Sequence, residues 1–99
     1  MAIAKQYLKS KPVCKVTFTV PAEDAKKVAV VGDFNNWKAN KGSALTKLKN
    51  GTFKGTLELP KENVYEFKYI IDGNYVNETQ ADRYQWNEFA GSENAVLEV

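Results

Sequence analysis

Among the side chains that could do chemistry, the acids come first. Asp33, Asp72, Glu78 and Asp82 are the residues from which a carboxylate pair for acid–base work on a glycosidic bond would be drawn. Each lies next to a turn, where such side chains commonly accept hydrogen bonds from nearby backbone amides. A chain of 99 residues also offers little depth in which to raise a carboxyl pKa, so the structural role of these acids outweighs a catalytic one. The chain has no histidine, which excludes Ser-His-Asp and Cys-His nucleophile systems and removes the usual zinc ligands. Its six glycines are scattered and form no phosphate-binding loop. Cys14 sits in the alternation Cys14-x-Val16-x-Phe18-x-Val20 and reads as a small buried hydrophobe, with no histidine to activate its thiol. The expectation is a binding protein, with no catalytic residues, cofactor or metal.

Aromatic rings and hydrogen-bonding side chains remain. Tyr65, Phe67, Tyr69 and Ile71 alternate with Glu66, Lys68 and Ile70, and Asp72-Gly73-Asn74 turns the chain back into Tyr75-Val76-Asn77. With Asp72-Gly73 as a two-residue loop, Ile70 pairs with Tyr75; with Gly73-Asn74, Asp72 does. In both registers Tyr75 shares a face with Lys68 and Ile70, and Val76 joins Phe67, Tyr69 and Ile71. The latter face is apolar throughout and belongs to the core. A three-residue loop would reverse the assignment.

The opposite face then carries a lysine and an exposed ring within diagonal reach. Such a ring can stack on the C–H face of a pyranose while amide and ammonium groups take its hydroxyls. Tyr75, Lys68 and Trp37 are the candidates for that platform. The residues themselves leave alternatives open: Tyr75 can cover a sheet edge beside a solvated Lys68, and Trp37 is evenly balanced between a plug over the core and an outward ring. Phe34, closer to the end of its strand, is the better plug.

The elements that must position these groups read as strands. Cys14, Val16, Phe18 and Val20 alternate with Lys15, Thr17 and Thr19 up to Pro21, the signature of a strand with one wet face. Residues 28–31 (Val-Ala-Val-Val) form a continuous apolar run, expected of a strand covered on both sides. Leu45 and Leu48 suggest a short edge strand leading into Asn50-Gly51, a strong two-residue hairpin signal. Phe53, Gly55, Leu57 and Leu59 then alternate with polar residues as far as Pro60. Residues 78–94 read as polar and irregular, and residues 95–99 close the sheet. Six to eight short strands without a convincing helix predict an all-β, immunoglobulin-like sandwich.

Hydrophobic and charged contents of 43% and 26% fit one globular domain rather than a disordered or fibrous chain. Residues 13–99 form the expected domain, and residues 1–12, with scattered lysines, a flexible or short helical extension. The extension lacks the continuous apolar core of a secretory signal, so a cytoplasmic location is expected. The Asn50-Gly-Thr52 and Asn77-Glu-Thr79 glycosylation patterns would then go unused. No apolar run reaches the length of a membrane span. A net charge of +2, with lysines spread along the chain, argues against nucleic acid or an anionic membrane as partner.

The segments VVGDFNNW, FKGTLELP, YEFKYIIDGNYVN and ADRYQWNEFAGSENAVLEV, in this order, resemble the glycogen-binding domain of the AMP-activated protein kinase β subunit. More broadly they resemble carbohydrate-binding module family 48, the isoamylase N-terminal-like domains of branching and debranching enzymes. The similarity spans about residues 13–99. It implies an early-set immunoglobulin-like sandwich that binds α-1,4-linked glucan, such as glycogen, starch or a maltooligosaccharide, without cutting it. In the family two rings grip the glucan while a lysine and an asparagine bond its hydroxyls. These map onto Trp37 and Tyr75, Lys68 and Asn94, with Ser92 as a weaker contact.

Departures from the family pattern carry their own expectations. Tyr75 stands where tryptophan is usual, which implies weaker binding because the ring is smaller. Glu78-Thr79 replaces an Asp-Pro pair, and Ala90 lacks the bulk found near the ligand in the kinase domain. Trp86 takes a place where a smaller residue is usual, either as an added contact or, the favoured reading, packed beneath the loop. Taken as complete, the chain would carry no attached enzyme and would bind glycogen by itself or recruit a glycogen-metabolising partner. The alternative is a protein-interaction module of the same fold whose sugar site has decayed.

Overall fold

The alternating pattern from Cys14 to Val20 becomes the central strand of one sheet, with all four of its apolar side chains fully buried. The computed structural model describes residues 1–39, 43–89 and 91–99. In chain order its strands are β1 (Ala2–Tyr7), β2 (Val13–Pro21), β3 (Val28–Gly32), β4 (Thr46–Lys47), β5 (Thr52–Pro60), β6 (Val64–Ile71), β7 (Asn74–Val76), β8 (Arg83–Asn87) and β9 (Ser92–Glu98). One antiparallel sheet has the order β1-β2-β5-β4; the other runs β3-β6-β9-β8, with β7 also paired to β6. The chain is thus all-β, and its two sheets pack as a sandwich.

The core lies between them. Val16, Phe18 and Val20 of β2 and Phe53 of β5 meet Val28 and Val30 of β3, Phe67 and Tyr69 of β6, and Leu97 of β9. Phe18 is its centre, edge-on to Phe67 at 5.5 Å and to Tyr69 at 6.1 Å between ring centroids. Each aromatic side chain buried this way stabilises the fold by about 1.5–3 kcal/mol. Val31 is also fully buried, although its parity places it on the opposite face from Val30, as the continuous apolar run of β3 predicts. The free edge of β3 is closed by chain: Leu45 N–H donates to Val28 O and Val30 N–H to Ser43 O.

Three local readings differ. Residues 2–7 are an edge strand, not a flexible or helical extension: β1 pairs with β2 over six positions, and Lys5 bonds Asp82 across the molecule at 2.6 Å. Its lysine and glutamine side chains are exposed, which hid the strand beneath an apparently solvated composition. The hairpin at Asn50-Gly51 has three loop residues instead of two. Leu48 N–H donates to Thr52 O across it, and Gly51 takes the left-handed backbone at φ 85°. Finally, residues 83–87, within the stretch read as irregular, form β8, which pairs with β9 from Asn87↔Ser92 to Arg83↔Val96.

Candidate functional site

β3 ends at Gly32, where a side chain has no room: a Cβ there would lie 2.4 Å from Glu66 O and 2.8 Å from the Phe67 Cβ. A single 3-10 turn, Asp33–Asn35, follows. Asn35 closes it with its side chain, accepting from Gly32 N–H at 2.9 Å and donating to Val30 O at 3.1 Å. Asn36 and Trp37 then both adopt left-handed backbone, φ 56° and 60°. Asparagine tolerates this region, whereas for a bulky residue such as tryptophan it is a strained outlier. The strain is held by two bonds: Trp37 N–H to Gly32 O at 2.9 Å, and the indole N–H to Asp33 Oδ1 at 3.1 Å. Phe34 turns inward, 6.5 Å from Phe18 and 6.0 Å from Tyr65, so it is the plug and leaves Trp37 half-buried at the surface.

The second ring comes from the β6–β7 hairpin. Its loop is Asp72-Gly73, with φ 48° and 87°, the two positive values a tight type I′ turn requires. The register is Ile70↔Tyr75 and Tyr69↔Val76, so Tyr75 stands on the face of Lys68 and is 61% exposed. Val76 lies on the core side, as the alternation predicts. Beyond β7 the side chain of Asn77 continues the ladder: its Nδ2 donates to Glu93 O at 2.6 Å and its Oδ1 accepts from Ala95 N–H at 3.1 Å. This splice fixes the start of β9, and with it Ser92 and Asn94, against β6.

Two polar groups lie between the rings. The ammonium of Lys68, a buried residue, donates to Ser92 Oγ at 2.7 Å. Asn94 is 3% exposed; its Nδ2 donates to Glu66 Oε1 at 3.2 Å, while its Oδ1 has no partner among the described residues. A buried amide oxygen left unpaired costs about 1–3 kcal/mol, and this one is closed to solvent as well. Trp37, Lys68, Tyr75, Asn87, Ser92 and Asn94 line one open groove of about 480 Å³. A larger recess, about 580 Å³, lies beside Ala29, Leu45 and Ile70, but it is mainly apolar and has neither a tryptophan nor a tyrosine in its wall.

The groove therefore gathers Trp37, Lys68, Tyr75, Asn94 and Ser92. Trp86 is 57% exposed on β8 and not packed beneath the loop, because the edge strand that carries it leaves the ring uncovered. Ala90 lies outside the described residues. Glu78 is fully buried and structural: it accepts from the Tyr69 hydroxyl at 2.7 Å and from Gln80 N–H at 2.9 Å. Burial, followed by the hydrogen bond and charge of Glu78, pushes the Tyr69 hydroxyl pKa far up. Asp33 also proves structural, bonding the Glu66 backbone as well as the indole, and so holds the groove residue Trp37 in place. Its spacing of four residues from Trp37 within a turn is the signal that could have found this link.

The family model for the glycogen recognition site of AMP-activated protein kinase matches residues 15–99. The chain belongs to that family. It is therefore a carbohydrate-binding module of the glycogen-recognising kind, and the match covers every strand from β3 to β9 and nearly all of β2. A comparison with curated proteins found no match.

Proposed function

We propose that this module binds α-1,4-linked glucan without cutting it, using Trp37 and Tyr75 as stacking rings and Lys68, Ser92 and Asn94 as hydroxyl partners. The observation that carries the reading is the convergence of these five residues, from one loop and three strands, on a single groove. A pyranose presents apolar C–H faces and a rim of hydroxyls, and this groove supplies rings for the first and donors or acceptors for the second. The Lys68 ammonium, already donating to the Ser92 hydroxyl, is suited to a hydroxyl oxygen.

The non-catalytic part of the reading is supported by the engagement of the nearby acids. Both oxygens of Asp33 accept hydrogen bonds from the protein, and Glu66 accepts from Asn94. In this reading the module holds glycogen in place for an enzyme that acts on it.

Electrophoresis in native gels containing glycogen or amylopectin, beside a β-glucan control, tests the proposal. Retardation in the α-glucan gels and loss of most of it in Trp37→Ala are expected. Unchanged mobility of the wild type in every α-glucan gel would overturn it.

A further inference from the structure

Glu66 stands on β6 two residues before Lys68, so the two side chains share the face that carries the groove. Its backbone N–H donates to Asp33 Oδ2 at 2.9 Å, and Asp33 Oδ1 accepts from the Trp37 indole at 3.1 Å. Its carboxylate Oε1 accepts from Asn94 Nδ2 at 3.2 Å. One residue of β6 thus ties both the first ring and the asparagine of the groove to the same point of the sheet.

The bond to Asn94 decides which end of the amide faces which way. A carboxylate only accepts hydrogen bonds, so it draws Nδ2 toward itself, and the opposite orientation would set two acceptors against each other. The observed orientation is kept although it leaves Oδ1 enclosed and without a partner among the described residues. With Oδ1 closed off, the amide can meet a ligand in the groove only through Nδ2. That nitrogen carries two hydrogens, one for Glu66 and one to spare.

We infer that Glu66 is a positioning residue of the glucan site, holding Asn94 as a hydrogen-bond donor to a sugar hydroxyl oxygen. The inference rests on the glucan-binding reading above. Lys68 and Asn94 then both act as donors, and the groove grips its sugar by the hydroxyl oxygens.

Calorimetric titration with maltoheptaose of wild type, Glu66→Leu, Glu66→Gln, Asn94→Ala and the double variant Glu66→Leu/Asn94→Ala tests this, with thermal unfolding of each to establish that it is folded. Glu66→Leu, which keeps bulk but offers no acceptor, should weaken binding about three- to tenfold, the scale of one hydrogen bond to the ligand. Glu66→Gln, which still presents an acceptor oxygen, should retain most of the affinity. In the Asn94→Ala background Glu66→Leu should cost nothing further, since the group it positions is gone. Where Asn94→Ala binds too weakly to titrate, the Asn94 side-chain amide signal of the free protein decides: it should move in Glu66→Leu as its hydrogen bond is lost. An unmoved signal, equal losses from Glu66→Leu in the two backgrounds, or no loss in the wild-type background would overturn this inference and leave the glucan site itself standing. Failure of the wild type to bind maltoheptaose would instead overturn the glucan-binding reading, and this inference with it.

Discussion

The indole N–H of Trp37 and the backbone N–H of Glu66 share one carboxylate: Asp33 accepts the first on Oδ1 at 3.1 Å and the second on Oδ2 at 2.9 Å. A ring on a loop is thereby fastened to the sheet beside Lys68 and Asn94. The tie matters because the Trp37 backbone sits in a region that costs about 1–2 kcal/mol for an ordinary side chain. Asp33→Ala should release the ring, lower glucan affinity severalfold and reduce unfolding stability by about 1–2 kcal/mol through the lost hydrogen bonds. Calorimetric titration with maltoheptaose, paired with urea unfolding, separates the two effects. Affinity equal to wild type would show that the ring keeps its orientation without Asp33.

Tyr75 is the smaller of the two principal rings and is mostly exposed, so it can be enlarged with little consequence for the fold. Tyr75→Trp should strengthen glucan binding by a few-fold, in line with about 0.5–1 kcal/mol of added stacking, and leave the melting temperature within about a degree or two. Tyr75→Ala should weaken binding without unfolding the hairpin, because the Asp72-Gly73 turn and the Tyr69↔Val76 pair remain. Retardation in amylopectin gels gives the order of the three proteins directly.

What the sequence disclosed followed from period and turn chemistry. Alternation in β2, β5 and β6 assigned the core face, and a two-residue turn made the Tyr75 face derivable before any side chain was placed. The edges were harder to read. β1 and β8 carry exposed residues on both faces, so hydropathy does not distinguish them from loop, and their pairing depends on contacts distant in the chain. In β8 the alternation of Tyr84 and Trp86 with Arg83, Gln85 and Asn87 was a usable signal. The Asn77 splice was not legible, because it depends on one polar side chain reaching particular backbone groups of a distant strand, and the link from Asp33 to Trp37 had only its four-residue spacing as a signal. The resemblance assigned Asn94; the fold adds that its oxygen is buried and unpaired among the described residues.

Glu78 illustrates a sequence departure with a structural consequence. Its carboxylate accepts from the hydroxyl of fully buried Tyr69, and its backbone oxygen accepts from the Tyr84 hydroxyl at 2.7 Å. Glu78→Ala strands the Tyr69 hydroxyl and leaves a cavity, and should cost about 2–4 kcal/mol. Glu78→Gln, which retains an acceptor and the volume, should cost distinctly less. Chemical denaturation of the two variants checks the order, and an equal loss in both would point to the charge of Glu78 as the stabilising element.

Asp72 makes the fold sensitive to acid at the same hairpin that presents Tyr75. Its carboxylate accepts the N–H of Lys27 at 2.8 Å and of Lys26 at 2.9 Å, and these two bonds, in that order, hold its pKa below the ordinary carboxylate value. Because the folded state has the lower pKa, the stabilisation is complete above about pH 4, where the unfolded chain's carboxylate is also ionised. It is lost as pH falls through the lowered value. Asp82 acts in the same direction: burial raises its pKa, but the Glu98 N–H and the Lys5 ammonium outweigh that and bring it down. Wild type should therefore lose stability steadily below about pH 4. Asp72→Asn, which keeps an acceptor and tolerates the left-handed backbone of the turn but lacks the charge, should be less stable than wild type at neutral pH and decline less over that window, so that the two proteins converge in acid. Urea midpoints measured from neutral pH into the acid range decide it: parallel curves for the two proteins would remove Asp72 from the account of acid unfolding.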